Sequence, residues 1–136
     1  MIVMQYANDG GLLSYLDQNI NKLTWRRKLK HLRDIGSFLI SIHKADLVHC
    51  DLHGGNIVLH DNTREIDSLI CDLGLSQPVN SRQQNSTIRG VLPFIAPEVF
   101  HTCKFTQKSD VYSFGIIMYL VATSEPPFRN SNLTEI

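Results

Sequence analysis

The spacing of apolar and polar residues along this chain predicts a mainly helical fold. Between Trp25 and Ile42, apolar residues recur at three- and four-residue steps, which is the spacing of an amphipathic helix. The apolar stripe comprises Trp25, Leu29, Leu32, Ile35, Leu39 and Ile42, and Arg26, Arg27, Lys30 and Arg33 are expected to face away from it. Thr24 is a suitable N-cap. We therefore predict a long helix that begins after Thr24 and packs on one side against the core.

A short helix is predicted before the long one. Residues 8–11, Asn-Asp-Gly-Gly, form a turn signal, and residues 12–19 then place Leu12, Leu13 and Leu16 on one side of an amphipathic helix.

A last helix is predicted to begin at Ser109 or Asp110, either of which could be its N-cap, and to run to about Thr123. It is apolar on nearly every side, as expected of a central, buried helix. Gly115 within it favours close packing of a neighbouring segment, and the prolines at 126 and 127 end it.

Three short apolar runs predict strands at residues 2–6, 57–59 and 69–71. The second and third are joined by a polar turn near residues 61–62, whereas residues 77–89 are polar, lack periodicity and predict a loop. The expected fold class is mainly α with short β-strands, an α+β arrangement without internal repeats.

Composition narrows the possible partners and location. The chain has 136 residues, 43% of them hydrophobic, and its 13 basic and 13 acidic residues balance, so no basic stripe indicates nucleic acid. The chain has three cysteines, Cys50, Cys71 and Cys103, and their odd number and irregular spacing argue against a disulfide framework. This favours a reducing compartment and a cytoplasmic location. The longest apolar stretch, residues 111–122, is shorter than the ~20 residues of a membrane span.

A cluster of oxygen-bearing side chains follows the long helix. Asp51 and Asn56 lie in the segment HCDLHGGN, residues 49–56, and the triplet DLG at 72–74 adds Asp72. Asp51 could accept a proton from a hydroxyl nucleophile. Asn56 and Asp72 offer oxygen atoms of the kind that Mg²⁺ binds, and the glycines at 54 and 55 would let the chain turn sharply between base and ligand. Such a set predicts phosphoryl transfer, in which positioning and charge neutralisation dominate.

These segments, in this order, closely resemble the protein kinase family. Residues 49–56 resemble its catalytic loop, residues 72–74 its metal-binding triplet, usually written DFG, and residues 96–98 its APE motif. The resemblance covers all of residues 1–136 and implies a truncated C-terminal lobe of the protein-kinase-like fold. The chain would be a partial kinase domain, from the hinge strand through the buried helix after APE, without the N-terminal lobe and the last C-lobe helices.

The resemblance implies an enzyme that transfers the γ-phosphoryl group of ATP to a protein hydroxyl, of Ser/Thr or possibly Tyr, using Mg²⁺. Asp51 would orient the hydroxyl, and Asn56 and Asp72 would hold the metal. The partners implied are ATP and a protein substrate, and the oligomeric state is left open.

An adenine site is implied as well. It comprises Gln5 and Ala7 of the hinge, next to Met4 at the gatekeeper position, with Leu13 and Val58 on its floor.

Four positions depart from the family pattern. Cys50 stands where an Arg often receives an activation-loop phosphate, so phosphorylation of Thr87 should order that loop only weakly. Leu73 replaces the usual Phe as an apolar plug beside the catalytic-loop histidine. His53 and Val91 stand where serine/threonine kinases usually carry Lys and Thr, which leaves hydroxyl specificity open.

Asp110 has two interpretations that can hold together. In the family this residue hydrogen-bonds the backbone of the catalytic loop near His49, and a simpler role is the N-cap of its own helix. His49 itself is expected to be a core histidine and not the general base.

Other functions stay possible at this point. A catalytically inactive kinase fragment or pseudokinase could act as a binding module. Zinc held by Cys50, His53, His60 and Cys71 is a rival with poor ligand spacing. Asp51, Asn56 and Asp72 could also be ordinary turn-forming residues.

Overall fold

A computed structural model of the chain describes residues 10–19, 22–62, 65–81 and 88–127. The helices there are α1 (Leu12–Gln18), α2 (Trp25–Lys44), α3 (Pro97–Thr102) and α4 (Gln107–Thr123); the strands are β1 (Leu47–Val48), β2 (Ile57–Asn62), β3 (Glu65–Ile70) and β4 (Gln77–Pro78); and short 3-10 turns occur at Gly54–Asn56 and Leu92–Phe94. The predicted mainly helical α+β class is confirmed. The strand expected at residues 2–6 lies outside the described residues.

Helix α2 is the element against which the hairpin and α4 pack. Its predicted N-cap is confirmed, because the Thr24 side chain accepts a hydrogen bond from the backbone N–H of Arg27. Ile35, Leu39 and Ile42 are buried in the main core. The first turns of the predicted stripe differ from expectation, since the hairpin and α4 cover only the later turns: Trp25 and Leu29 are 64% and 60% exposed.

The polar side of α2 also departs from the prediction. Lys30, expected to face away, reaches back to the hairpin and forms ion pairs with Asp34 at 2.8 Å and Asp67 at 2.6 Å. Burial alone would lower the pKa of Lys30, but the two carboxylates outweigh it and raise the pKa above 10.5. Beside it, Nδ1 of the buried His31 lies 2.8 Å from the hydroxyl of Ser68. These contacts fix the hairpin on α2.

Strands β2 and β3 correspond to the two short strands expected at residues 57–59 and 69–71, and they pair antiparallel in a register that places Ile57 opposite Ile70. Residues 61 and 62, expected in the turn between them, belong to β2 instead. The hairpin is longer than the apolar runs alone indicate, because polar residues such as His60 and Asp67 also pair in it. Residues 77 and 78, expected in a loop, form β4 and pair antiparallel with β1. These two short strands flank the catalytic-loop segment.

The start of α4 was predicted three or four residues too late. Its N-cap is Thr106, and Ser109 is the third helical residue of a capping box in which each side chain bonds the other's backbone N–H. Neither Ser109 nor Asp110 is therefore the N-cap. The helix ends at Thr123, where Ser124 adopts a left-handed conformation ahead of the prolines.

Helix α4 is buried on one side only within the described part of the chain. Ile117, Leu120 and Val121 lie in the core, whereas Val111 and Tyr119 are 57% and 46% exposed. Its apolar composition indicated burial all round, but composition cannot say which faces have a partner. A Cβ atom built on Gly115 would meet no described atom within 4 Å, so none of the described segments provides the close packing that had been expected there. Among the described helices, none is long and apolar enough to cross a membrane.

Candidate active site

The segment expected to carry the chemistry runs from the end of β1 to the start of β2, and a buried acid in α4 anchors it. The carboxylate of Asp110 accepts hydrogen bonds from the backbone N–H groups of His49 at 2.8 Å and Cys50 at 3.1 Å. The Nε2 atom of His43 lies 2.9 Å from the same carboxylate. Asp110 is 1% exposed, so these groups together satisfy a charge that would be costly to bury alone. The predicted contact between Asp110 and the loop backbone is thus present.

His49 is fully buried and joins the loop to the end of β3. Its Nδ1 accepts a hydrogen bond from the backbone N–H of Asp51 at 3.3 Å, and its Nε2 lies 3.4 Å from the carbonyl oxygen of Cys71. This pattern requires the proton on Nε2. Burial lowers the pKa of His49, although the carboxylates of Asp110, Asp51 and Asp72 act against that shift. The predicted role as a core histidine agrees with this burial.

Asp51 and Asn56 are in direct contact. The side-chain amide of Asn56 donates from Nδ2 to the backbone oxygen of Asp51 at 2.9 Å and to its Oδ2 at 3.2 Å. Because Nδ2 is the donor, the amide oxygen of Asn56 is the atom available to a cation. The two residues that the sequence placed together therefore meet in the fold.

The glycines between them serve a different purpose from the one expected. Neither Gly54 nor Gly55 has a positive φ, so a sharp turn does not require them. A Cβ on Gly54 would lie 2.8 Å from Cδ2 of Leu120 and 2.9 Å from Cδ2 of Leu13, and one on Gly55 would lie 2.9 Å from the His53 ring. Space, and not backbone freedom, is what excludes a side chain here.

Asp72 follows the end of β3, one residue after a contact with the turn that carries Asn56. The backbone N–H of Cys71 donates to the carbonyl of Asn56 at 2.8 Å, which holds the residue preceding Asp72 against the turn that carries Asn56. Asp72 has φ +59° and its Oδ1 accepts from the Gly74 N–H at 3.1 Å. Left-handed backbone in a non-glycine residue is unfavourable and tends to occur at functional sites.

Leu73 differs from the expected apolar plug. It is 50% exposed and belongs to neither buried cluster of the described residues. The reason is its place in a surface turn, closed by a hydrogen bond from the Ser76 N–H to the Leu73 carbonyl.

Cys50, at the position of the missing Arg, is a buried residue with φ +69°. Its thiol lies 3.5 Å from the carbonyl of Val48. Burial, reinforced by the negative charge of Asp110, raises the pKa of the thiol to about 12. Cys50 is therefore a packed neutral thiol and offers nothing to a phosphate.

A small open cleft lies beside Asp51. Its wall is formed by the catalytic loop on one side and the segment around the second 3-10 turn on the other, with lining residues that include Asp51, His53, Gly90, Val91, Phe94 and Phe105. Gly90 has φ +137°, and a Cβ on it would lie 3.4 Å from Oδ1 of Asp51. Oδ1 of Asp51 thus lies beside a residue that lines the cleft.

Two of the four residues expected at the adenine site can be placed. Gly11 forms an isolated antiparallel bridge with Val58, which sets the start of α1 beside β2. Leu13 is 47% exposed, so it does not share the buried side of α1 with Leu12 and Leu16. Gln5 and Ala7, like Met4 and Thr87, fall outside the described residues.

The donor set fits magnesium better than zinc. Within residues 10–19, 22–62, 65–81 and 88–127, no group of three or more His, Cys, Asp or Glu side chains is placed to hold a metal. The zinc alternative therefore has no support there. One carboxylate, on Asp72, and one amide oxygen, on Asn56, suit Mg²⁺, which commonly uses few protein ligands together with water and phosphate oxygens.

Sequence reasoning missed the residues that position the site from a distance. His43 reaches Asp110 across 67 positions of sequence, and no local pattern indicates such a contact. Gly90 likewise approaches Asp51 only because the chain folds back. The capping box at Thr106 was missed as well, because the usual signal is Glu or Gln three residues after the Thr, and this chain has Ser109 there.

Comparison with known proteins agrees with the resemblance. The sequence profile of the family described as protein tyrosine and serine/threonine kinase matches residues 1–136. The chain is 33% identical over 135 residues to a probable receptor-like protein kinase of Arabidopsis thaliana, covering 93% of this chain and 27% of that protein. It is 32% identical over 136 residues to probable serine/threonine-protein kinase 2 of Plasmodium falciparum, covering 99% of this chain and 26% of that protein. The chain thus spans about a quarter of the length of each of these two relatives.

Proposed function

Since the chain belongs to the protein tyrosine and serine/threonine kinase family, we propose that it carries the catalytic loop of a protein kinase that phosphorylates Ser or Thr hydroxyls. Two relatives, from Plasmodium falciparum and Dictyostelium discoideum, are named as serine/threonine-protein kinases, which favours that acceptor class. ATP is the phosphoryl donor and another protein is the substrate. The kinase acts in the cytoplasm.

The contact between Asp51 and Asn56 carries this proposal. The Asn56 side chain can bind the base and the cation at once: its Nδ2 holds the Asp51 carboxylate, and its amide oxygen is left for the cation. A base and a metal ligand fixed to each other meet the need of phosphoryl transfer for exact placement of reactants. An Asn that only closed the turn would need the bond to the backbone oxygen of Asp51 and not the second bond to its carboxylate.

Each residue then has a distinct role. Asp51 orients the acceptor hydroxyl and receives its proton, and Asn56 and Asp72 hold Mg²⁺. The metal, when bound, neutralises negative charge on the phosphates. His49 and Asp110 contact no substrate; they fix the backbone from which Asp51 projects.

Nucleotide binding can be tested in the chain itself. Thermal unfolding with a non-hydrolysable ATP analogue should shift upward when Mg²⁺ is present, because a ligand bound only by the folded state stabilises it. Asp72→Asn should remove the magnesium-dependent part of the shift. Asp17→Asn, at an exposed position of α1, is the matched control and should behave as the unaltered chain.

Phosphoryl transfer is tested with γ-labelled ATP and a mixture of Ser-, Thr- and Tyr-containing peptides. Asp51→Asn should lower the rate by about 10²-fold or more, the usual contribution of a positioned base. Transfer that is unchanged in Asp51→Asn would refute the assignment. Magnesium-dependent nucleotide binding without transfer would instead identify the chain as the binding module that its departures at Cys50 and His53 allow.

A further inference from the structure

His53 lies between Asp51 and the 3-10 turn that carries Asn56, and it is in contact with both. The backbone N–H of Gly55 donates to Nδ1 of His53 at 3.1 Å, so the imidazole caps the turn. Its other nitrogen, Nε2, lies 3.6 Å from Oδ2 of Asp51. Because Nδ1 offers its lone pair to the Gly55 N–H, the ring proton belongs on Nε2, the nitrogen that faces the carboxylate.

The two oxygens of the Asp51 carboxylate have unequal surroundings. Oδ2 accepts from Nδ2 of Asn56 at 3.2 Å and has His53 as its other neighbour. Oδ1 is the oxygen toward Gly90, where a Cβ would lie 3.4 Å away, and no hydrogen bond to it occurs among the described residues. Among the described residues, Oδ1 is therefore the carboxylate oxygen without a hydrogen bond, and it lies toward Gly90, which lines the cleft.

Resting on the kinase function proposed above, we propose that His53 is a positioning residue, which holds Oδ2 of Asp51 and leaves Oδ1 to receive the proton of the acceptor hydroxyl. In that reaction the acceptor oxygen forms a bond to the γ-phosphorus. The bond from phosphorus to the bridging oxygen breaks, with its electron pair leaving on ADP, and the acceptor proton passes to Oδ1.

The distance between His53 and Asp51 suits a contact that shortens when the substrate binds. A separation of 3.6 Å is longer than a hydrogen bond, and catalytic contacts commonly shorten once the substrate is bound. The ring of Phe94 is tilted against the imidazole, with its centroid 6.1 Å from that of His53.

Two substitutions separate this role from that of a simple cap. In His53→Asn, the side-chain oxygen can still accept from the amide two residues later, as Asn does in turns, but the side chain is too short to reach Asp51. In His53→Ala both contacts are lost. His101→Asn, on the exposed surface of α3, is the matched control.

The two variants are expected to differ in their kinetics and stability. His53→Asn should keep the thermal midpoint and the KM values for ATP and peptide, while kcat falls roughly tenfold, less than the about 10²-fold expected for loss of the base itself. His53→Ala should lose kcat to the same extent and also unfold at a lower temperature. Full kcat in His53→Asn would overturn the proposal, because a residue that only caps the turn predicts that result.

A measurement independent of activity keeps this proposal distinct from the kinase function. Long-range ¹H–¹⁵N correlation of the imidazoles in the 136-residue chain should place the His53 proton on Nε2. Asp51→Asn should then shift that Nε2 resonance and leave the resonances of His101 unchanged. A proton on Nδ1, or no response to Asp51→Asn, would overturn the role of His53 even in an active kinase. If the unaltered chain transfers no phosphate, the kinase function fails, and the ring resonances still decide whether His53 holds Asp51.

Discussion

Replacing Asp110 by Asn should loosen the catalytic loop more than it loosens the helix that carries it. Asp110 is the fourth residue of α4, and its carboxylate accepts from His49, Cys50 and His43, which all lie outside that helix. Asn keeps the shape of the side chain but has one oxygen, so its amide group must face at least one buried donor. The substitution therefore removes at least one hydrogen bond between α4 and the backbone of the loop.

The expected magnitude follows from those hydrogen bonds. A hydrogen bond to a charged group contributes about 1.5–3 kcal/mol, and a buried donor without a partner costs a similar amount. We expect the free energy of unfolding to fall by about 2–3 kcal/mol, which is less than the total stability of most domains. Cys50 adds to the effect, since its left-handed backbone is held in part by its bond to Asp110.

Hydrogen exchange of single amides is the measurement that separates loop from helix. In Asp110→Asn the amides of His49 and Cys50 should exchange about 30-fold faster for each 2 kcal/mol lost. Thr106→Ala is the matched control, because it removes the N-cap of α4 at a cost of about 1 kcal/mol and leaves the loop contact intact. It should speed exchange at Ser109 alone. Equal exchange of His49 and Cys50 in the two variants would refute the coupling between α4 and the loop.

Three further predictions concern stability. Burial lowers the pKa of both His31 and His49, so the fold favours their neutral forms. Their contribution to the free energy of unfolding should be fully present above pH 6.5, and below that pH it should fall by at most about 1.4 kcal/mol per pH unit for each ring. Denaturation series at several pH values would test this, and a slope in His31→Gln equal to that of the unaltered chain would contradict it. Ser124→Gly should stabilise by about 1 kcal/mol, because Ser124 has φ +57° and its buried hydroxyl has no hydrogen-bond partner among the described residues; Ser124→Ala, which keeps the strained backbone, should give less, and equal midpoints in urea would argue against the strain. Gly54→Ala should destabilise by about 1–3 kcal/mol through overpacking against Leu120, and an unchanged thermal midpoint would show that the neighbouring side chains move aside.

Local patterns predicted the elements well wherever the pattern itself fixes the answer. The stripe of α2 and its cap at Thr24 were recognised because a 3.6-residue period and a capping side chain act within one turn. The prediction failed where two signals competed. Asp110 and Ser109 both have side chains that cap helices, yet Thr106 three residues earlier completes a reciprocal capping box and begins the helix instead.

The candidate site was predicted as a set of residues but not as a geometry. The order of the segments at 49–56, 72–74 and 96–98 sufficed to identify the family. It did not reveal that Gly54 is needed for space beside Leu120, or that Cys50 is a buried thiol. Both depend on which side chains approach the loop from elsewhere in the chain.

The amino-acid order alone thus predicted three of the four described helices, α1, α2 and α4, the two strands that pair as the hairpin, and the residues chemically able to bind a proton or a cation, because hydrophobic period and side-chain chemistry are local properties. It did not predict α3. Only the tertiary structure decided which face of α4 is covered, which histidine supports the anchoring acid and which oxygen of Asp51 lies toward Gly90. Contacts such as that between His43 and Asp110 join positions 67 residues apart, and no period in the sequence records them. They exist because packing brings separate elements together, and each buried polar group then requires a partner.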